Sequence, residues 1–503
     1  MFQESTTDAD IASAALRQQS ILGVSAADLR KMQDLQVVAR TAQKAVESLA
    51  RDSEPDPKEQ ALRSQQVIKA FQEFEAHLSR LQQQAPSLAQ ALATTPPSLR
   101  AIQARLGAGQ VLAIFAPQET ATSALVISKT GAQHRILPIT SARQTEPTTA
   151  LRSSVMFPND ASAPIPAFDT NAAATLYADL FGWAQSSIAN AKEITVIASG
   201  PLASIPFSVL LKSRTAGRDY RDMPWLIKSV AVTHAPSVAA WLSISSPNSS
   251  GLAKGFVAWA DPDFGNVITS AGSTTRSVRK TLRSSKAANS GALLTADIVS
   301  AALVPLPETK GEAEAIARAL GANAQRDVIA GRSANRSSVL EASQSGQLMS
   351  KAVVMFATHG LAPGQLPGLN QPALALARER DGLPLLVLDD VMSLRTNADW
   401  VILSACNTSS AGEVDGDALS GLARGFFFAG AKSLLVTHWE VELLSAANIT
   451  VRTMEKYTSN RSLTRSQALQ QTAIEMIEGK ESNPEWAHPI YWAPYALVGD
   501  GRR

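Results

Sequence analysis

The spacing of apolar residues changes near residue 99. Before this point, apolar side chains recur every three or four residues among Ala, Leu, Gln and Glu, as they do on one face of a helix. These stripes comprise Leu29, Met32, Leu35 and Val38, and then Val67, Ala70, Phe71, Phe74 and Leu78. The pattern predicts an α-helical region over residues 1–98, broken at 53–57 by the sequence SEPDP.

After residue 99, short apolar runs alternate with helical patterns. The runs predicted as strands lie at 111–116, 123–128, 194–200, 229–235, 255–261, 327–330, 352–358, 399–405, 432–437 and 495–498. Strands that alternate with helices are typical of an α/β fold, in which a mostly parallel sheet is flanked by helices on both faces. We therefore predict this architecture for residues 99–503.

The helical patterns of this part also carry local signals. Thr309 and Glu312 have the spacing of a capping box, which predicts a helix that starts there and continues to Leu320. Other helices are predicted near 172–191, 333–345 and 417–429, and two more follow residue 437. In the helix at 417–429, Gly421 and Gly425 share one face, which we expect to pack closely on the sheet.

Composition narrows the classes of protein that need to be considered. A chain of 503 residues is too long for one ordinary core and predicts roughly two to four domains. Its net charge of +2 nominates neither a nucleic acid nor a membrane as a partner, and no uninterrupted apolar run reaches the length of a membrane span. The polar, acidic start lacks the pattern of a secretory signal, so we expect a cytoplasmic protein.

Residues 266–296 contain no acidic residue and are rich in Ser and Thr. The basic residues of this segment are Arg276, Arg279, Lys280, Arg283 and Lys286. Because no aromatic residues are interleaved with these charges, the segment is more typical of a solvated loop than of a nucleic-acid site.

The two most apolar predicted strands end in residues that can carry chemistry. His359 and Gly360 follow the run at 352–358, and Cys406 follows the run at 399–405. If the strands are parallel neighbours, both side chains emerge at one edge of the sheet, where ligands bind in open parallel sheets. An imidazole beside a thiol can accept its proton, and the N–H groups of Gly360 and Cys406 could form an oxyanion hole.

Cys406 is the only cysteine, which excludes an internal disulfide and cysteine-rich zinc sites; we expect neither a metal nor a cofactor. A lone cysteine is often only a small buried apolar residue, so its surroundings must decide. A cysteine phosphatase would need Arg six residues after the nucleophile, where this chain has Gly412. The sequence motifs of serine hydrolases, zinc proteases and P-loop nucleotidases are absent.

Six segments in order resemble the CHAT family of caspase-like cysteine peptidases, which is related to separase and the caspases. They are SGPLASIPFSVLL at 199–211, LPETKGEAEAIARALGA at 306–322, ATHGL at 357–361, VILSACNT at 401–408, GLARGFFFAGAKSLLVTHWEV at 421–441 and HPIYWAPYALVGD at 488–500. The resemblance covers about residue 99 to the end. It implies a cysteine endopeptidase in which His359 and Cys406 are catalytic and the backbone N–H groups of Gly360 and Cys406 bind the oxyanion.

The resemblance also implies a domain organisation. Residues 99–250 would form an inactive caspase-like subdomain, because they contain no cysteine, and residues 251–503 would form the active subdomain. The helices of residues 1–98 occupy the place where relatives carry partner-binding repeats, which makes a regulatory protein partner an expectation.

Three features leave alternatives open. His438 stands where the family usually has an apolar residue, and since it also ends a predicted strand, it is a rival to His359 as the base. Asp415 and Asp417 could bind a basic residue of a protein substrate, although a helix cap at Asp417 and simple solvation of Asp415 are the more ordinary explanations. The alternative to an enzyme is a catalytically silent caspase-like scaffold that mediates protein interactions.

Overall fold

The structure is a computed structural model that describes most of the chain after residue 98. The described residues are 98–158, 163–215, 219–244, 255–265, 294–362, 365–366, 368–369, 371–380, 382–404, 421–479 and 483–502, together with Lys31, Leu35, Lys69 and Glu73. The chain divides into two units, Glu4–Pro96 and the remainder. The four described residues before residue 98 each have a helical conformation, and the helical N-terminal region stays a prediction.

Fourteen strands occur in the described ranges. They are β1 (Gln110–Pro117), β2 (Thr122–Ser128), β3 (Ala132–Leu137), β4 (Glu193–Ala198), β5 (Ala231–His234), β6 (Phe256–Pro262), β7 (Val328–Gly331), β8 (Val353–Ala357), β9 (Gly360–Leu361), β10 (Ala373–Ala375), β11 (Leu385–Val387), β12 (Trp400–Leu403), β13 (Ser433–Thr437) and β14 (Tyr495–Gly499). Eleven form one sheet in the order β3-β2-β1-β4-β5-β14-β13-β12-β8-β6-β7, and the other three form a small sheet in the order β11-β10-β9.

Parallel pairing dominates the large sheet. The pairs β1–β4, β4–β5, β6–β7, β6–β8, β8–β12 and β12–β13 are parallel. Antiparallel pairing occurs between β1, β2 and β3 at one edge and between β13 and β14. The prediction of a mostly parallel sheet is therefore confirmed.

Helices flank the large sheet, as the alternation of patterns predicts. Those described after residue 98 are α1 (Leu99–Arg105), α2 (Ser141–Ser153), α3 (Thr170–Phe181), α4 (Gln185–Ile188), α5 (Leu226–Ser229), α6 (Val238–Ser243), α7 (Ala296–Ala302), α8 (Glu308–Ala319), α9 (Ala324–Asp327), α10 (Arg336–Gln344), α11 (Leu388–Ser393), α12 (Gly421–Ala429), α13 (Leu443–Ser459), α14 (Arg465–Ile477) and α15 (Pro489–Trp492).

The central strands are buried on both faces, which explains why they read as continuous apolar runs. In β8, Met355 packs into one core with helices α8, α13 and α14, whereas Phe356 packs into a second core with α10, α11 and α12. The same alternation holds in β12, where Ile402 faces the first core and Val401 faces the second. Successive side chains of a strand point to opposite faces, so each strand contributes to both cores.

Strands from both predicted subdomains lie in this one sheet. The last strand, β14, lies between β5 and β13, and the pair Val498 and His234 bridges it to β5. The ring centroids of His234, which ends β5, and His438, which follows β13, are 6.0 Å apart. The assignment of 99–250 and 251–503 as inactive and active subdomains stays a prediction.

The capping box predicted at Thr309 and Glu312 is wrong. Helix α8 begins one residue earlier, at Glu308, and no side chain caps it. The hydroxyl of Thr309 instead donates to the carbonyl of Leu306, and the carboxylate of Glu312 accepts hydrogen bonds from Ser404 and Thr450. Both side chains are almost fully buried, so tertiary hydrogen bonds replace the local ones that the motif predicts.

The close packing predicted for Gly425 is directed at a helix rather than at the sheet. A Cβ atom at Gly425 would lie 2.8 Å from Cδ1 of Leu388 and 3.1 Å from Cγ1 of Val391, both in α11. Contacts this short leave no room for a methyl group, so Gly425 permits the close approach of α11 and α12.

Replacement of Gly425 by Ala tests this packing. Overpacking costs about 1–3 kcal/mol, which exceeds the gain of about 1 kcal/mol in helix propensity. We expect Gly425→Ala to lower the free energy of unfolding by about 1 kcal/mol, measured by urea denaturation. The control is Gly311→Ala in α8, where no atom lies within 4 Å of the added Cβ, and this variant should be more stable than the native chain.

Candidate active site

The ends of β8, β12 and β13 lie side by side because the three strands are parallel and in register. Leu403 of β12 pairs with Phe356 of β8, and Ile402 pairs with Leu435 of β13. The chain segments that leave these strands therefore emerge at one edge of the sheet. This is the edge at which open parallel sheets bind their ligands.

His359 lies at this edge, directly after β8, and is only 1% exposed. Its Nε2 atom is 2.6 Å from the carbonyl oxygen of Val304. Since a carbonyl can only accept, Nε2 must carry the hydrogen, and in the neutral ring Nδ1 then holds the lone pair. The ring of Phe264 packs against the imidazole, with centroids 5.6 Å apart. The histidine is thus fixed in both tautomer and orientation.

Gly360 begins β9, which pairs antiparallel with β10. The N–H of Ala375 donates to the carbonyl of His359, so His359 and Ala375 form a hydrogen-bonded pair of the ladder. Such pairs alternate with non-hydrogen-bonded pairs along an antiparallel ladder. The next pair, Gly360 with Leu374, is therefore of the second kind, and the N–H of Gly360 points away from β10.

The end of β12 is held by a buried carboxylate. The N–H of Ser404 donates to the carbonyl of Phe356, which continues the pairing with β8 by one residue. The hydroxyl of Ser404 donates to Oε1 of Glu312 at 2.9 Å and lies 3.3 Å from the hydroxyl of Tyr495. Thr450 donates to the same carboxylate oxygen at 2.8 Å. Glu312 thereby ties α8 and α13 to the last described residue of β12.

Residues 405–420 lie outside the described part of the chain. This segment contains Cys406, the predicted nucleophile, and Asp415 and Asp417, the predicted substrate-binding residues. The structure therefore gives the positions of His359, Gly360 and the strand end that leads to Cys406, and the roles of Cys406, Asp415 and Asp417 stay predictions.

His438 is a buried neighbour of other cationic and imidazole groups. It is 3% exposed, and its backbone N–H donates to the carbonyl of Pro494. The centroid of its ring lies 6.0 Å from that of the His234 ring. Burial, with the nearby His234 and Arg152, lowers the pKa of His438 well below its ordinary value. His234 accepts a hydrogen bond from the N–H of Phe207, and burial lowers its pKa to about 4. Both rings are therefore neutral at neutral pH.

The remaining described histidines have structural or surface positions. His488 accepts a hydrogen bond from the N–H of Ile490 and donates to the carbonyl of Pro166, and burial lowers its pKa to about 4. His134 is exposed on β3 and lies within hydrogen-bond distance of Ser123.

Sequence reasoning missed the groups that support His359. The carbonyl of Val304 is a backbone atom 55 residues away, and no side-chain motif marks it. Phe264 carried no signal beyond its apolar character. For Glu312, the local capping motif predicted a bond to the start of its own helix, whereas the carboxylate accepts from Ser404 and Thr450.

Among the described residues, no cluster of three or more His, Cys, Asp or Glu side chains could hold a metal ion. None of their helices combines the length and the apolar character that a bilayer crossing requires.

Comparisons with known proteins agree with the motifs. The family model described as the CHAT domain matches residues 170–500, which is well over half of the chain. The chain therefore belongs to the CHAT-domain family, and the family predicted from the six segments is confirmed. No curated protein sequence matches the chain.

Solved structures that match this chain include a cysteine proteinase and a separase–securin complex. One is the Arg-specific cysteine proteinase gingipain R, with a TM-score of 0.38 and 10% identity, covering 68% of this chain and 69% of that one. The other is Saccharomyces cerevisiae separase in complex with securin, with a TM-score of 0.47 and 7% identity, covering 79% of this chain. The match spans only 30% of the separase chain.

The carboxylate at Glu312 is expected to be a major contributor to stability. Glu312→Ala leaves the buried hydroxyl of Ser404 without this acceptor, which costs about 1–3 kcal/mol, and it opens a cavity in the core; Thr450 can still donate to the carbonyl of Ala446 at 2.9 Å. We expect a fall of about 2–4 kcal/mol in the free energy of unfolding, measured by urea denaturation. Glu314→Ala is the matched control in the same helix, because Glu314 is partly exposed and pairs with Lys310 across 3.9 Å. A loss below 1 kcal/mol in Glu312→Ala would contradict this role.

The buried histidines predict a loss of stability in acid. The pKa of His488 is about 4 in the folded chain, whereas an unfolded imidazole has a pKa near 6.5. Between these values the unfolded state binds more protons, so stability falls as pH decreases from about 6.5 towards 4. We expect His488→Gln to lose about 2 kcal/mol less than the native chain between pH 7 and pH 4.5, in urea titrations at each pH. His134→Gln, at an exposed site, should keep the steep native loss.

Proposed function

We propose that this chain is a cysteine endopeptidase in which Cys406 is the nucleophile and His359 is the general base. The observation that carries the proposal is the hydrogen bond of 2.6 Å between Nε2 of His359 and the carbonyl of Val304. It leaves Nδ1 as the ring atom able to accept a proton at the edge where the chain leads to Cys406. Membership of the CHAT-domain family supports the same chemistry.

The length of the chain supports an encounter between the two groups. Cys406 follows Ser404 by two residues, and two residues span at most about 7 Å between Cα atoms. Adjacent parallel strands are about 4.8 Å apart, and Ser404 is hydrogen-bonded to β8, which ends two residues before His359. A thiol at position 406 is therefore within reach of the His359 imidazole.

The proposed reaction uses the two nitrogen atoms of His359 differently. Nδ1 accepts the proton of the Cys406 thiol, and the thiolate adds to the carbonyl carbon of the scissile peptide bond. The positive charge that forms on the ring is stabilised by the Val304 carbonyl, which accepts from Nε2–H. As the carbon–nitrogen bond breaks, His359 returns the proton to the leaving amine. His359 then takes a proton from water, and the resulting hydroxide hydrolyses the thioester and releases the thiol.

Gly360 supports stabilisation of the oxyanion. Its N–H points away from β10, and a residue without a side chain lets a substrate oxygen approach the backbone. We propose that this N–H, together with the N–H of Cys406, binds the negative oxygen of the tetrahedral intermediate. One such donor is typically worth about 3–4 kcal/mol in the transition state.

We propose that Asp415 and Asp417 line the pocket for a basic residue of a protein substrate, through charge-assisted hydrogen bonds. Capping of a helix by Asp417 and solvation of Asp415 are the simpler alternatives.

The helices predicted in residues 1–98 are proposed to bind a regulatory protein partner. We further propose a cytoplasmic location, without a nucleic-acid or membrane partner.

The rival function is a catalytically silent scaffold for protein interactions. It is favoured by the burial of His359, which is 1% exposed, since a buried histidine can serve packing alone. A reactive thiol separates the two functions, because a scaffold gives the cysteine no need for a nearby base.

The test combines thiol reactivity with peptide cleavage. At pH 7 an ordinary thiol is only a few per cent ionised, so removing the base should slow alkylation of Cys406 by iodoacetamide about 10-fold in His359→Ala. A peptide-library digest should show cleavage by the native chain and none by Cys406→Ala or His359→Ala. Enrichment of Arg or Lys before the cut that is lost in Asp415→Asn or Asp417→Asn would support the proposed pocket.

The control variants distinguish His359 from His438 as the base, and the peptidase from the catalytically silent scaffold. His134→Ala, at an exposed position on β3, should alkylate and cleave as the native chain does. If His438→Ala rather than His359→Ala slows alkylation, His438 is the base. A native thiol that reacts slowly and is insensitive to either substitution, with no cleavage in the digest, would establish the scaffold instead.

A further inference from the structure

The end of β6 contains a bulge with a strained residue. The register between β6 and β7 shifts between Ala260 and Pro262, and Asp261 between them has a φ of 44°. Among the described residues it is the one non-glycine residue with a positive φ. Side chains rarely adopt this conformation, and it persists only where the surroundings hold it.

A buried hydroxyl holds this bulge. The N–H of Asp261 donates to Oγ1 of Thr309 at 2.9 Å, and the same hydroxyl donates to the carbonyl of Leu306 at 2.7 Å. Thr309 is fully buried, so neither bond exchanges with water. One side chain therefore links the end of β6 to the segment that precedes α8.

Both connected segments contact the imidazole of His359. The segment before α8 supplies the carbonyl of Val304, which accepts from Nε2 at 2.6 Å. Pro305 and Pro307 of this segment have no backbone N–H, so the segment can donate few backbone hydrogen bonds that would hold it in place. On the other side, the bulge redirects the chain so that Phe264, three residues after Asp261, packs on the ring with centroids 5.6 Å apart.

We propose that Thr309 is a positioning residue for His359: its hydroxyl braces the strained bulge at Asp261 against Leu306 and so fixes both the Val304 carbonyl and the Phe264 ring around the imidazole. The inference rests on the proposed function of His359 as the base. Thr309 touches neither substrate nor reacting atoms and acts through these two segments.

The two hydrogen bonds of the Thr309 hydroxyl, called the brace below, determine how well the His359 imidazole accepts a proton. When the Val304 carbonyl is fixed, Nε2 keeps its hydrogen and Nδ1 stays the acceptor for the thiol. When the brace is lost, the carbonyl moves with its segment, the ring is free to take the other tautomer, and the charged ring loses its partner. The thiol then reacts as one without a matched base.

The test uses the full chain and the pH dependence of Cys406 alkylation by iodoacetamide. Thr309→Val keeps the shape of the side chain and removes both hydrogen bonds, whereas Thr309→Ser keeps the hydroxyl. We expect Thr309→Val to slow alkylation at pH 7 about 10-fold and to move the midpoint of the profile towards that of an ordinary thiol. Thr309→Ser should stay within about 2-fold of the native rate. Thr122→Val in β2 is the control, since it removes a buried hydroxyl that donates to the carbonyl of Ile139 and accepts from Gln144, and that contacts neither of these segments.

The outcomes separate this inference from the proposed function. If His359→Ala leaves the native profile unchanged, the base itself is wrong and the positioning role falls with it. If His359→Ala alters the profile and Thr309→Val does not, only the positioning role is overturned. Equal slowing by Thr309→Val and Thr122→Val would also overturn it, because a general loss of packing would explain both. Should circular dichroism show that Thr309→Val does not fold, Thr309→Ala replaces it in the same comparison.

Discussion

The register between β8 and β12 is the constraint on which the candidate site depends. Each strand is buried on both faces, and a slip by one residue would turn every apolar side chain towards the wrong core. The two cores therefore determine where each strand ends, and with it the place from which His359 and the chain to Cys406 emerge. A position at the sheet edge is in this way set by packing far from that edge.

Buried polar groups then refine what the register provides. Glu312 and Thr309 lie three residues apart in α8, and each contacts the end of a different strand. Glu312 binds Ser404 at the end of β12, and Thr309 binds the bulge at the end of β6. A helix is stiff over this distance, so α8 couples the two strand ends that lie on either side of β8. Such bonds in a dry core have little freedom to rearrange.

Much of this arrangement could be predicted from the sequence, because it depends on patterns within a few residues. The buried strands appear as apolar runs, and the position of His359 at a strand end follows directly from them. The chemical class came from short motifs around His359 and Cys406. Contacts between distant segments could not be predicted in this way, since the Val304 carbonyl has no side-chain signature. The same limit explains the error at Glu312, where the local motif was real in sequence but the buried hydroxyls of Ser404 and Thr450 were better partners.

Short elements were missed for a related reason. Strands β9, β10 and β11 have only two or three residues each, too few to show a period of two. They matter because the pairing of β9 with β10 sets the direction of the Gly360 N–H. The glycine face at Gly425 was correctly predicted to make a close contact, but the contact was assigned to the sheet instead of to α11. The spacing of the glycines shows that this helix face is small, and it does not show which element packs against it.

The place of β14 has a consequence for how the chain is made. This strand consists of residues 495–499, close to the end of the chain, yet it lies in the interior of the sheet between β5 and β13. During synthesis, strands β1–β5 and β6–β13 leave the ribosome before the strand that joins them. The sheet can therefore close only after residues 495–499 have emerged, so the strands made before them wait for the one strand that joins β5 to β13.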